Sequence, residues 1–300
     1  MRVGITGASG LIGGELAAAL RERGDEPVPF VRRTPAAGEI GWNPAEGRLD
    51  TADLAGLDAV VNLAGAGIGD HRWTDDYRRE LMESRTASTR LLAEAIVAAR
   101  TAGNGPATLI SASAVGYYGS RGDEVLTEAS PAGTGFLSEI CVAWEAAAEP
   151  ARDAGVRVAT IRTGIVLTAS GGALAKMLPL FKFALGGPFG NGRQWMSWIS
   201  LDDEIAAILH LLEGSADGPF NLTAPNPVTN AEFAKTLGKA LGRPALLPAP
   251  AIAPRLLLGR ERADALLFDG QRAVPEALQA DGFAFSQATL DAGLRAALDR

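Results

Sequence analysis

Three glycines at every third position, Gly7, Gly10 and Gly13, stand near the start of this 300-residue chain, in Arg2-Val3-Gly4-Ile5-Thr6-Gly7-Ala8-Ser9-Gly10-Leu11-Ile12-Gly13. That spacing fits a phosphate cradle made of backbone. Gly7 lets the chain turn sharply, Gly10 lets N–H groups approach a pyrophosphate, and Gly13 lets a following helix pack close to the turn. The phosphates would lie at the positive end of that helix. A second pair able to do chemistry, Arg32-Arg33, follows the run Pro27-Val28-Pro29-Phe30-Val31. An acidic residue at this strand end holds the ribose 2′-OH of NAD, whereas arginine pairs with the extra phosphate of NADP. No Asp or Glu stands there, so NADP(H) is favoured; the plain alternative, two arginines solvating a loop, gives way because of the glycine turn.

The elements that position these residues read as an α/β, Rossmann-like, doubly wound parallel sheet with a smaller C-terminal α/β domain. Strands are expected in the three apolar-leaning residues before the glycine turn and at 27–31, around 40–42, 58–65, 107–113, 156–161 and 218–222, with helices between them. Ile12, Leu16 and Leu20 give the first helix its apolar face, and Gly24 ends it. A long helix is expected over about 76–100, with Leu81, Thr89, Leu92 and Ile96 facing the sheet. Ser200-Leu201-Asp202-Asp203-Glu204 reads as a capped helix start whose acids complement the dipole. Residues 251–268 read as one very apolar helix whose Leu256-Leu257-Leu258 and Leu266-Leu267-Phe268 patches pack internally or form a homodimer contact. The division expected is 1–168 with 200–224 for the NADP-binding domain and 169–199 with 225–300 for a smaller substrate-binding domain.

Four stretches occur together: Thr6 to Gly13, Asn62-Leu63-Ala64-Gly65-Ala66-Gly67-Ile68-Gly69, Ser111-Ala112-Ser113-Ala114-Val115-Gly116-Tyr117-Tyr118-Gly119, and Arg193-Gln194-Trp195-Met196-Ser197-Trp198-Ile199. The combination resembles the atypical "epimerase family protein" branch of the extended short-chain dehydrogenase/reductases, over residues 1 to about 298. In that superfamily the serine matched by Ser113 polarises the substrate oxygen, and a Tyr-x-x-x-Lys pair supplies acid–base chemistry. Anchored on Glu145, the tyrosine position falls on Leu137 and the lysine position on Cys141. No tyrosine or lysine lies between Gly119 and Thr168. The resemblance thus implies the fold and the cofactor, and the standard mechanism is missing.

The cofactor set it implies is Gly7, Ser9, Gly10, Leu11, Ile12, Arg32, Arg33, Leu63, Ala64, Gly65, Arg85, Ser111, Ala112, Arg162, Thr163, Gly164 and Ile165. Catalysis is expected from Ser113 with Tyr117 or Tyr118 as the nearest acid, and substrate contact from Arg193, Trp195 and Trp198. A tyrosine without a lysine donates a proton better than it accepts one at neutral pH, which favours reduction. The function expected is hydride transfer between NADP(H) and a small carbonyl or related substrate, in an oxidoreductase or epimerase-like enzyme. A non-catalytic NADPH-sensing regulator is the alternative; a full sugar-nucleotide epimerase cycle ranks below both for want of a base.

Bulk properties narrow the remaining classes. The net charge of −7 without a dense Lys/Arg run argues against nucleic acid or an anionic membrane as partner. The single cysteine, Cys141, excludes an internal disulfide and a thiolate cluster and reads as a small core residue. His71 and His210 read as an exposed loop and a helix surface, and Asp202-Asp203 as capping residues, so no metal site is expected. No run approaches the roughly 20 apolar residues of a membrane span, and the expected address is the cytoplasm.

Overall fold

The computed structural model describes residues 1–245 and 247–299; Arg300, where the expected second domain ends, lies outside the described residues. In chain order the elements begin β1 (Arg2–Thr6), α1 (Leu11–Glu22), β2 (Glu26–Val31), β3 (Ile40–Asn43), β4 (Arg48–Leu49), β5 (Ala59–Asn62), α2 (Asp75–Thr101) and β6 (Thr108–Ala114). They continue as β7 (Val125–Leu126), α3 (Phe136–Ala146), α4 (Glu149–Asp153), β8 (Arg157–Thr163), β9 (Ile165–Leu167) and α5 (Gly172–Lys182). Next come β10 (Trp195–Met196), β11 (Trp198–Ser200), α6 (Leu201–Glu213), β12 (Gly218–Leu222), β13 (Val228–Thr229) and α7 (Asn230–Ala240). The chain closes with α8 (Ile252–Leu258), α9 (Arg260–Ala263), β14 (Arg272–Ala273), α10 (Glu276–Ala280) and α11 (Leu290–Leu298).

Eight strands form one sheet in the order β12-β8-β6-β5-β1-β2-β3-β4. The pairings of β1 with β2 and β5, of β5 with β6 and of β2 with β3 are parallel, while β4 returns antiparallel on β3. The strand order reverses beside β1, the arrangement that in open α/β sheets places ligands at the carboxyl ends of the strands. The α/β, Rossmann-like reading of the sequence holds.

By contacts the chain forms two compact units, 1–113 with 140–161 and 208–219, and 114–139 with 162–207 and 220–300. The first has a core of Val28, Phe30, Trp42, Val60, Leu92, Ile96 and Leu109. The second centres on Leu174, Phe181, Trp198, Phe233, Leu237 and Leu294. The limits differ from the sequence division, which put 114–139 in the first unit. Tyr118, Val115 and Leu126 cluster with Ala273, and β7 pairs in parallel with β14, so distant C-terminal residues capture this segment.

Two expectations need correction. The helix expected over 251–268 is broken: Gly259, with φ of 86°, separates α8 from α9, and a π-helical turn covers Asp264–Phe268. Trp198, expected at substrate, is fully buried in the second unit's core, its indole N–H donating to the Asn226 carbonyl.

Candidate functional site

The glycine turn is built by close backbone approach. Gly7 has φ of 69°, in the left-handed region that side chains disfavour, and the Gly10 N–H donates back to its carbonyl at 2.9 Å. A Cβ on Gly13 would stand 2.3 Å from the Gly7 carbonyl oxygen, so α1 can abut the turn only with glycine there. Gly10 caps α1 without a side-chain hydrogen bond, and the first turn holds no acidic residue. Helix N-termini leave unpaired N–H groups and a partial positive charge, so this end, from Ser9 to Ile12, suits a phosphate.

A buried polar chain fixes the neighbouring strand end. The Thr6 hydroxyl donates to Asn62 Oδ1 at 2.7 Å and accepts from the N–H groups of Leu63 and Ala64. Asn62 Nδ2 and the Trp144 indole N–H both donate to Thr89 Oγ1, at 2.8 and 2.9 Å. These bonds tie β1, β5, α2 and α3 together and hold the small residues Ala64 and Gly65 beyond β5. Arg85 is engaged with protein rather than displayed: it donates to the Leu81 and Ala66 carbonyls and its guanidinium covers Gly65.

The two arginines after β2 have different surroundings. Arg33 grips Glu39 with two bonds of 2.6 and 2.7 Å. Arg32 is exposed and forms no ion pair among the described residues, so it is the cation available for a phosphate.

On β6, Ser111 is buried with an unpartnered hydroxyl, Ala112 and Ser113 are buried beside it, and the Ser113 hydroxyl donates to Glu145 Oε1 at 2.7 Å. Glu145 lies in the last turn of α3, next to the Trp144 that is pinned to Thr89. The sequence reading used Glu145 only to align the missing tyrosine and gave it no task.

The second unit holds the tyrosines. Tyr118 is fully buried; its hydroxyl donates to Asn221 Oδ1 at 2.7 Å and accepts from Arg162 at 3.0 Å, and burial pushes the phenol up to about 12. So sealed, it has no face for a substrate, which removes it as the expected acid. Tyr117 is half-buried, with the Arg162 guanidinium 3.5 Å from its ring centroid. Arg162, expected at the cofactor, is thus buried between tyrosines and also donates to the Glu128 carbonyl. Burial likewise raises the Glu128 carboxyl. Tyr118→Phe is expected to cost about 2 kcal/mol by leaving the Asn221 oxygen and an Arg162 N–H short of a partner. Tyr117→Phe, which removes no bond seen among the described residues, should stay within about 0.5 kcal/mol of the wild type in urea denaturation.

Beyond β8, the N–H groups of Gly164 and Ile165 are already bonded to the Leu222 and Ser197 carbonyls. Thr163 donates to Glu204 Oε1 at 2.8 Å. Glu204 is wholly buried and burial pushes its carboxyl up to about 8, so it is neutral at pH 7. It is no solvated partner of the helix dipole, as the capping pattern implied; Asp203 is buried too and accepts from the Ser286 and Gln287 N–H groups.

Arg193 and Trp195 line a common cavity of about 360 Å³ with Ser120, Asp123, Asn191 and Phe268. The Trp195 indole N–H donates to Asp123 at 2.7 Å, and the Arg272 guanidinium lies 4.2 Å from its ring centroid. Among the described residues no group of His, Cys, Asp and Glu could hold a metal, and no helix is long and apolar enough to cross a membrane.

Sheet order, glycine turn and open helix end define the class: a Rossmann-like protein with a nucleotide-binding fold. Residues 3–222 match the NAD dependent epimerase/dehydratase family, and residues 249–297 match a domain of unknown function, DUF1731. The chain belongs to the NAD dependent epimerase/dehydratase family. An epimerase family protein of Mycobacterium leprae is 49% identical over 99% of this chain and 96% of its own length. The crystal structure of human epimerase family protein SDR39U1 with NADPH is 36% identical, covers 100% of both chains and superposes with a TM-score of 0.90. A Corynebacterium glutamicum structure described as a nucleoside-diphosphate sugar epimerase is 37% identical with a TM-score of 0.78, covering 99% of this chain and 58% of that one.

Proposed function

We propose that the protein binds NADP(H) at the ends of β1, β2 and β5 and catalyses hydride transfer to a small carbonyl or related substrate. The observation that carries the reading is the uncapped, acid-free start of α1 behind a turn into which no side chain fits at Gly13. The human relative crystallised with NADPH supports the choice of cofactor. When bound, the nicotinamide supplies or accepts the hydride. The chain's own residues do the rest: the α1 N-terminus neutralises the pyrophosphate, Arg32 pairs with the 2′-phosphate, and Ser113 meets the substrate oxygen.

Arg32→Ala is expected to weaken NADPH binding about tenfold or more, the value of a charged hydrogen bond, and to leave NADH unchanged. Arg33→Ala, which frees Glu39, should act less on this preference and more on the loop after β2. Nicotinamide fluorescence titrations measure both. Equal loss of NADH and NADPH affinity in Arg32→Ala would remove the 2′-phosphate assignment.

A second reading, a non-catalytic NADPH sensor, draws on the exposed Leu180, Phe183, Leu185, Leu256 and Leu257 of the second unit, apolar side chains that a partner or a second copy could cover. One experiment separates the two: NADPH is titrated and a panel of carbonyl and enone substrates is then added. Oxidation of bound NADPH by any of them supports the enzyme; tight binding without oxidation across the panel supports the sensor.

A further inference from the structure

We propose that Glu145 supplies the acid–base function of the missing Tyr-x-x-x-Lys pair, acting through Ser113. This rests on the hydride-transfer reading above and goes past it by naming the proton path. The Ser113 hydroxyl is 2.7 Å from Glu145 Oε1. An ionised carboxylate only accepts, so the single serine proton points at Glu145 and the serine oxygen offers lone pairs to anything else. The group it then receives is a donor, a substrate hydroxyl. When Glu145 carries a proton the chain reverses: Glu145 donates to Ser113 Oγ, and the serine proton turns to a substrate carbonyl oxygen.

The balance closes in either direction. In reduction, hydride from the nicotinamide forms the C–H bond, the serine proton forms the substrate O–H bond, and the Glu145 proton replaces it on Oγ. Glu145 is left ionised and takes a proton from water. The carbonyl gains two electrons and the nicotinamide loses two. In oxidation the alcohol proton passes to Ser113 Oγ as the serine proton passes to Glu145, which releases it to water, and the hydride that leaves the carbon would be taken up by an oxidised nicotinamide. Serine meets the substrate; Glu145 is a positioning and relay residue.

Placement supports this task. Trp144 is bonded to Thr89 within the Thr6-Asn62-Thr89 chain, which fixes the last turn of α3 and so the carboxylate that follows. The Arg85 guanidinium lies 5.0 Å from the Trp144 ring centroid, and Cys141, one turn earlier on α3, is buried. With the relay at Ser113, the direction of the reaction is no longer tied to a tyrosine that only donates, as the sequence had implied.

The test compares wild type with Glu145→Gln, Glu145→Asp and Ser113→Ala. NADPH affinity, read by fluorescence, is expected to be unchanged in all three. In the cofactor-free protein, infrared difference spectra on acidification should contain a carboxylate band that is lost in Glu145→Gln and shifted in Ser113→Ala. With a carbonyl substrate, Glu145→Gln should lower kcat about 100-fold or more with little change in KM and flatten the pH profile. Glu145→Asp should restore the pH dependence in part. Absence of the infrared shift, or full turnover with an unchanged pH profile in Glu145→Gln, overturns the relay alone. A wild type that oxidises NADPH with no carbonyl overturns the hydride-transfer reading and the relay with it.

Discussion

Gly13→Ala is expected to lower NADPH affinity on the order of 100-fold and to destabilise the protein by about 3 kcal/mol, although one methyl group is all that it adds. The new Cβ would stand 2.3 Å from the Gly7 carbonyl oxygen and 2.9 Å from its carbon, both backbone atoms. Neither can rotate aside, so the start of α1 must move off the turn. That movement takes the helix N–H groups away from the phosphate and loosens the packing of Leu16 and Leu20, which are buried on the same helix. Gly14→Ala is the control. Its Cβ would meet only the Ala8 carbonyl oxygen at 3.7 Å, an ordinary contact, and alanine is favoured over glycine in a helix by roughly 0.5–1 kcal/mol. Fluorescence titration and urea denaturation of the two variants give the comparison; equal behaviour would mean that the close approach at Gly13 does not limit the cradle.

Glu204 sets the second large effect. Its carboxyl is pushed up to about 8 by burial from a value of 4.5, with the Thr163 hydroxyl bond opposing that rise only in part. Below about pH 4.5 the group is protonated in both folded and unfolded chains and contributes no pH dependence. Between the two values the unfolded chain releases the proton while the folded chain keeps it. Stability therefore falls as pH rises through this window and levels off above about 8, a loss of several kcal/mol over the whole range. Glu204→Gln keeps an acceptor for Thr163 and cannot ionise, so its stability should lack this decline. Glutamine places an amide where Glu204 Oε2 has no partner, which costs about 1–3 kcal/mol at every pH, so the decisive quantity is the slope and not the height. Glu128, also raised by burial, titrates in both proteins and cancels in the difference. Urea denaturation at intervals from pH 5 to 9 measures it; parallel curves would mean that Glu204 ionises as freely folded as unfolded.

Much of the scaffold was legible because it is written in short-range terms. The first strand, turn and helix follow from apolar spacing and three glycines, and β12 falls at Gly218–Leu222 as the residue pattern placed it. Trp42, in the short strand expected around 40–42, is buried against Phe30 with their rings edge to face. The missing Tyr-x-x-x-Lys pair was equally plain, since an absence of tyrosine and lysine between Gly119 and Thr168 needs no structure to see.

The chemistry that replaces the pair was not legible, because it joins residues that are near only after folding. Ser113 and Glu145 are 32 positions apart, Thr163 and Glu204 are 41, and Tyr118 and Asn221 are 103. Each pairing depends on the register of separate elements, which local periodicity leaves open. Burial is likewise a tertiary property: the pattern Ser200 to Glu204 announces a helix start in any protein, and only its removal from water in the folded chain turned its last acid into a neutral, enclosed carboxyl. The sequence by itself determined the nucleotide-binding scaffold and the loss of the usual catalytic pair, through local spacing and composition. The tertiary structure alone decided which hydroxyls and carboxyls meet, and which tyrosine and tryptophan are sealed away, because those depend on long-range packing and on the removal of water.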